Sequence, residues 1–341
     1  MKSLREYSLN LPEQEYHDLP VWSHSLIADY ARNGFGALAT LHDKKAATPS
    51  MEFGSLFDSF ITRGKETLKY YTVSDINVTP AEKVVLDELA KQCDASKFDM
   101  IPTSDVLDVA AAVGYRPDYK KPETRYNHIA EFGAYYDAVK SGKKIVSQDD
   151  WSDALEMYNA FRANPYLKEL FGTKDTEDVE YIYQSQFKVP WVIEGEEIDV
   201  KIMPDLLVVD HRAQTIQPVD LKTSSMPAYD FAENFVKFRY DLQAEMYTDV
   251  LVKVCAGDKD YENYIVLPYI FADISRVDKV PVCYKYDPSE GFSYTKGDKT
   301  YQYKGWQELL SEILVYEANE AKVPNWITTD EPNDIVSILC R

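Results

Sequence analysis

A mixed α/β fold is what this 341-residue sequence predicts, and three observations carry it. Apolar residues recur at helical spacing through the first half. From residue 179 the pattern changes to the two-residue alternation of strands, and a long helical stretch then separates that strand run from two more strands. The coarse order is helix, strand, strand, strand, helix, strand. A hydrophobic fraction of 45%, with 26 Tyr, 14 Phe and 5 Trp, supplies a substantial core and excludes the disordered class.

The first 50 residues read as short helices and loops, and "LPVWSHSLIADYARNGFGALATL" is apolar enough to pack on a larger body. In "MEFGSLFDSFITRG", Phe53, Leu56, Phe57, Phe60 and Ile61 fall at helical spacing, so Gly54 and Asp58, four apart, share a face. Between 73 and 125 come a helix over "PAEKVVLDELAKQC" and the loop-rich "GYRPDYKKPETRYNH". Two helices follow, around "HIAEFGAYYDAVKSG", ended by Gly142, and "SQDDWSDALEMYNAFRANPYLKELFG", with Ser147 as N-cap.

"VEYIYQSQFKVPWVIEGEEIDVKIMPDLLVVD" is rich in β-branched and aromatic residues and reads as two or three antiparallel strands with "EGEE" as a turn. "TIQPVDLKTSS" continues the sheet after the polar turn "DHRAQ". One long helix from about 228 to 255 follows, its buried stripe marked by Phe231, Phe235, Phe238, Leu242 and Val250. The strands "NYIVLPYIFADIS" and "VPVCYKYDP" and an amphipathic helix around "GWQELLSEILVYEANEAK" complete the order.

No apolar run approaches the roughly 20 residues of a membrane span. The start, "MKSLREYSLNLPEQEYHDL", lacks the apolar core of a signal peptide, so a soluble, cytoplasmic protein is expected. Cys93, Cys255, Cys283 and Cys340 are too scattered for a metal knuckle and are expected as thiols. A formal charge of -20 repels nucleic acid unless a basic lining is concentrated locally. The richest basic stretch holds Arg116, Lys120, Lys121, Arg125, Lys140, Lys143 and Lys144; it is either such a lining or a solvated loop.

The segment "MPDLLVVDHRAQTIQPVDLKTSS" has the strongest strand character in the chain, yet carries Asp205, Asp220 and Lys222. Asp220 and Lys222, two apart on a strand, project from one face. Converging carboxylates repel unless a divalent cation binds both, and hard oxygen ligands suit Mg²⁺ completed by water and a substrate phosphate. Lys222 then orients or helps deprotonate a water, or neutralises charge building on the phosphate. On the next helix, "RYDLQAEMY" puts Tyr240, Gln243 and Tyr247 on one face, with Gln243 able to bond a phosphate or the nucleophilic water.

With "MPDLLVVD", "VDLKTSS" and "FVKFRYDLQAEMY", the stretch from about 179 to 250 resembles the PD-(D/E)xK nuclease superfamily. Within it, the segment is similar to the RecE-type (exonuclease VIII), lambda-exonuclease-like and RecB-type domains, whose helix after the Lys carries Gln-x-x-x-Tyr. "FGSLFDSFI" extends the resemblance more loosely. It implies a restriction-endonuclease-like core, a central mixed sheet flanked by helices, with helical N-terminal additions. In domain terms it implies an extension over 1–50, a nuclease domain over 51–320 with a helical insertion at about 73–165, and a tail over 321–341.

The resemblance makes Asp205, Asp220, Lys222 and Gln243 the catalytic set. Asp58, Asp205, Asp220 and the carbonyl of Leu221 would be ligands of Mg²⁺, with Mn²⁺ as a substitute. Thr223, Ser224, Arg239, Tyr240 and Tyr247 would be nucleic-acid contacts. Asp58 stands where relatives carry His, and Gln184 where many carry Glu, which leaves one metal or two open. The implied activity is 5′ to 3′ exonucleolytic resection of double-stranded DNA ends in phage or prophage recombination. The implied partners are a single-strand annealing protein and further copies of the chain in a ring of three or four. An endonuclease of the same fold, or a weakly catalytic DNA-end-binding protein, are the alternatives.

Overall fold

The computed structural model describes residues 3–43, 47–74, 78–172 and 174–318. The expected tail at 321–341, and Cys340 with it, lies outside the described residues. Cys93, Cys255 and Cys283 are free thiols. No helix among the described residues is long and apolar enough to cross a membrane. The chain forms two compact units, Met1–Ala47 with Ala160–Arg341, and Thr48–Asn159.

That division falls elsewhere than the expected boundaries at 50 and at 73–165. The first 47 residues are not an added extension, because Leu4, Ile27, Ala28, Tyr30 and Leu41 are buried in one core with Val200, Leu207 and Trp306. A buried ammonium reinforces this: Lys201 Nζ donates to the carbonyls of Tyr16, His17 and Leu19 at 2.8, 3.1 and 3.0 Å. These bonds tie the end of helix Glu13–Asp18, where Tyr16 O also accepts from the Leu19 N–H, to the strand that carries Lys201.

The larger elements of this first unit, in chain order, are α1 (His24–Asn33), β1 (Val179–Tyr183), β2 (Phe187–Ile193), β3 (Glu196–Ile202), β4 (Leu206–Asp210), β5 (Thr215–Ser224), α2 (Phe231–Phe238), α3 (Tyr240–Ala256), β6 (Tyr269–Ser275), β7 (Pro281–Tyr286) and α4 (Trp306–Ala318). The main sheet runs in the order β7, β6, β5, β4, β1, with the two-residue strand Ile265–Val266 also on β5. β5 and β6 are parallel; the other neighbours along this path are antiparallel, so the sheet is mixed.

The hairpin β4–β5 is in register from Leu206 opposite Val219 to Asp210 opposite Thr215. Its turn is closed by the Asp210 carboxylate, which accepts from the Ala213 N–H at 2.7 Å, and by Gln214 in the left-handed region. β2 and β3 do not join this sheet as a continuous strand run would. They pair with each other and, through β3, with Trp22–Ser23. The departure begins where Gln184 turns left-handed at φ 50 and ends at Pro204, which has no N–H to give a ladder.

Parallel neighbours require a crossover, and α2 with α3 provide it for β5 and β6. The single helix expected over 228 to 255 is in fact these two. Arg239 separates them with φ 56 and ψ 50, a conformation uncommon outside glycine. Its guanidinium is held by the Asp241 carboxylate, with bonds of 2.8 to 3.2 Å, and donates to Lys304 O at 2.7 Å. Downstream of the bend, Tyr240 stacks on Phe271 with ring centroids 5.7 Å apart, so α3 starts directly over β6. Phe231 and Phe235 pack on the same Phe271 ring.

The second unit is mostly helical, with one parallel pair, Tyr71–Val73 on Lys144–Val146. Its core gathers Val85, Leu86, Leu89, Phe98, Val106, Ile129 and Tyr136. Thr48 caps helix Pro49–Arg63 by accepting from Met51 N–H at 3.3 Å, and Asp58 is a partly buried residue on that helix. Ser147 accepts from Asp150 N–H at 3.0 Å, the N-cap expected there.

Candidate active site

Strand periodicity brings Asp220 and Lys222 to one face of β5, and α3 crosses that face. Asp220 Oδ2 lies 2.6 Å from Lys222 Nζ. Gln243, one turn into α3, closes the triangle: its Nε2 donates to Asp220 Oδ1, and its Oε1 accepts from Lys222 Nζ at 3.0 Å. Both ends of one amide are thus used, which fixes its orientation. Asp220 is 2% exposed and Gln243 3%, so these contacts are made out of water, where they count for more. Apart from the ion pair, Asp220 Oδ2 has no hydrogen bond among the described residues.

Asp205 precedes β4 and stands beside Asp220, because Leu206 is paired with Val219. Its Oδ2 accepts from the Leu221 N–H at 2.7 Å, and its carbonyl accepts from the Gln184 N–H at 3.1 Å. In an extended strand the N–H and C=O of one residue point to the same side. The Leu221 carbonyl therefore faces the side that Asp205 occupies, just before β4 begins. Tyr240 completes the enclosure, its ring centroid 4.4 Å from Lys222 Nζ. Burial opposes the Lys222 charge, but Asp220, Tyr240 and Asp205 outweigh it and its pKa is raised.

Two groups here were not singled out by the sequence reading. His24, the first residue of α1, meets the Tyr247 ring edge-on at 5.6 Å. Burial, with help from Lys222 and Arg32, pushes its pKa down to about 3, so it is neutral. Asp273 lies within β6, opposite Lys222 in register. Burial pushes its carboxyl up to about 7, with Asp278 adding to the shift and Lys222 opposing it. An acidic residue inside "YIFADIS", all seven of whose residues are buried, was the available clue.

Of the expected nucleic-acid contacts, Thr223 and Ser224 are half-buried at the end of β5, where Ser224 Oγ donates to Met226 O at 2.8 Å. Tyr240 is half-buried over Lys222. Arg239 and Tyr247 are both buried: Arg239 has its fork taken by Asp241 and Lys304, and Tyr247 is a core residue. Asp58 belongs to the Thr48–Asn159 unit. In the basic stretch of that unit, Arg116 pairs with Glu82, Arg125 bonds the carbonyls of Arg116 and Tyr119, Lys140 those of Ala90 and Cys93, and Lys143 that of Leu68. Lys120, Lys121 and Lys144 remain exposed.

Among the described residues no group of three or more His, Cys, Asp or Glu is arranged to hold a metal. The donors that do converge are all hard oxygens, two carboxylates and one carbonyl. Asp220 Oδ2 in particular is buried and engaged only by an ammonium. That set fits Mg²⁺, which takes few protein ligands and keeps its waters. No protein-family model matches the sequence, and no curated protein does. One solved structure, the crystal structure of SSO0001, is similar at 11% identity over 75% of this chain and 95% of its own, with a TM-score of 0.25. A likeness that slight carries no argument.

Proposed function

We propose that the chain is a Mg²⁺-dependent deoxyribonuclease with a PD-(D/E)xK core, acting on the ends of double-stranded DNA. The observation that carries this reading is the buried triangle of Asp220, Lys222 and Gln243 with Asp205 beside it. An ion pair alone would be weak support, since buried pairs often do no more than break even. A pair that also engages both ends of a helix amide, beside a second carboxylate, suits hydrolysis of a phosphodiester better than it suits structure.

Asp205, Asp220 and the Leu221 carbonyl would hold the cation, which when bound lowers the pKa of its water and draws charge off the phosphate. Lys222 places a positive charge where negative charge grows on the phosphate oxygens. Gln243 bonds both the ammonium and the Asp220 carboxylate, and its amide would orient a water. The Tyr240 ring covers one side of the Lys222 ammonium. Resection from 5′ ends, an annealing partner and a ring assembly extend this reading by resemblance.

The test incubates a linear duplex with Mg²⁺ and compares wild type with Lys222→Ala. Nucleotide release by wild type, lost in the variant by at least 100-fold, is expected. Release by neither protein overturns the nuclease reading, and nicking of covalently closed circles replaces the exonuclease with an endonuclease.

A further inference from the structure

Asp273 has both carboxylate oxygens buried with no hydrogen-bond partner among the described residues, and the residue is 1% exposed. An apolar side chain in its place would avoid the cost of an unsatisfied polar group. β6 runs parallel to β5 with Asp273 opposite Lys222, and such partners project from the same face on strands about 5 Å apart. The Lys222 ammonium therefore has a carboxyl on each flank. It holds Asp220, two residues earlier on its own strand, at 2.6 Å, and leaves Asp273 unbonded.

The proposed function creates a conflict at Asp220. The oxygen that a cation needs, Oδ2, is the one Lys222 occupies, and an ammonium held there would repel the incoming ion. Lys222 has to release it. The strand order β4, β5, β6 sets the direction: Asp205 approaches from the β4 side and Asp273 from the β6 side. A move toward Asp273 takes the ammonium away from the carboxylates that would bind the ion, while Gln243 Oε1 and the Tyr240 ring can stay with it.

We propose that Lys222 exchanges Asp220 for Asp273 when a divalent cation binds, so that Asp273 is a positioning residue that opens Asp220 to the ion. The inference rests on the proposed function and adds a device to the same site. It explains why a strand otherwise devoted to core packing carries a carboxyl with nothing bound to it.

The experiment measures Mn²⁺ binding by calorimetry to the full chain without DNA, in wild type, Asp273→Asn, Lys222→Met and the double variant. Asp273→Leu serves as a second version of the first change, with circular dichroism confirming the fold. Loss of Asp273 is expected to weaken Mn²⁺ at least tenfold when Lys222 is present and less than twofold in the Lys222→Met background. A merely structural role would weaken both backgrounds alike. Equal losses, or Asp273→Asn binding Mn²⁺ like wild type, overturns the exchange while leaving the nuclease reading intact. Failure of all four proteins to bind Mn²⁺ overturns both.

Discussion

Replacing Lys222 by Met keeps much of the side-chain volume and removes the charge that Asp220 is buried against. Breaking a buried pair by deleting one partner costs about 3–5 kcal/mol, because the other charge is left without compensation. The Lys222 side chain is still 20% exposed, against 4% for Asp220, so some water already reaches the pair and the lower end, about 3 kcal/mol, applies. For a unit of this size each kcal/mol moves Tm by about 2–4 °C, which gives a fall of roughly 6–12 °C. Thermal unfolding followed by tryptophan fluorescence at pH 7.5 measures it. Adding Mn²⁺ to 100 times its Kd stabilises the folded state by about 2.7 kcal/mol and should bring the variant back close to metal-free wild type. A variant that melts within about 2 °C of wild type without metal would refute the reasoning, since Asp220 would then not depend on the ammonium.

Lys201→Met removes the bonds to the carbonyls of Tyr16, His17 and Leu19, at about 0.5–1.5 kcal/mol for each bond lost; limited proteolysis should then cut within the first 20 residues sooner than in wild type. His24 is neutral in the fold, with its pKa at about 3 against 6.5 unfolded, so its cost is absent above pH 6.5 and grows as pH falls toward 3. His24→Gln should flatten the loss of stability across that window by up to about 1.4 kcal/mol per pH unit, less because the ring keeps some solvent contact; urea titrations at pH 4.5 and 7.5 check it. Arg239→Ala and Arg239→Gly both lose the buried pair with Asp241, about 3–5 kcal/mol, but glycine relaxes the left-handed backbone and should be the milder by about 1 kcal/mol in the same titrations.

The β4–β5 hairpin and the placement of Gln243 could be read from the sequence because both are local. Period two fixes which side Asp220 and Lys222 share, and the helical repeat aims Gln243 at the sheet. What could not be read depends on partners far along the chain. The helix break at Arg239 has no Gly or Pro to announce it; it exists because Asp241 and the Lys304 carbonyl hold the guanidinium. Arg239, which the resemblance makes a nucleic-acid contact, thereby has its charge spent inside the unit. The β2–β3 hairpin alternates like its neighbours, and its partner in the separate sheet, Trp22–Ser23, lies far back along the chain. Asp273 reads as one polar residue in an apolar strand until β6 is set parallel to β5, and His24 as an isolated histidine until α1 is packed against Tyr247.

The unit that carries the site is built from two stretches separated by the whole of Thr48–Asn159. On the ribosome, the helix beginning at His24 emerges early, whereas Val200, the residue that Trp22 pairs with, is made only after the inserted unit is complete. At translation rates of about 5–20 residues per second, the opening segment waits roughly 8–30 seconds for its partners. Its apolar "LIADYARNGFGALATL" stretch therefore stays without its core partners until then, and a newborn chain acquires its site only after Asp273 has been made.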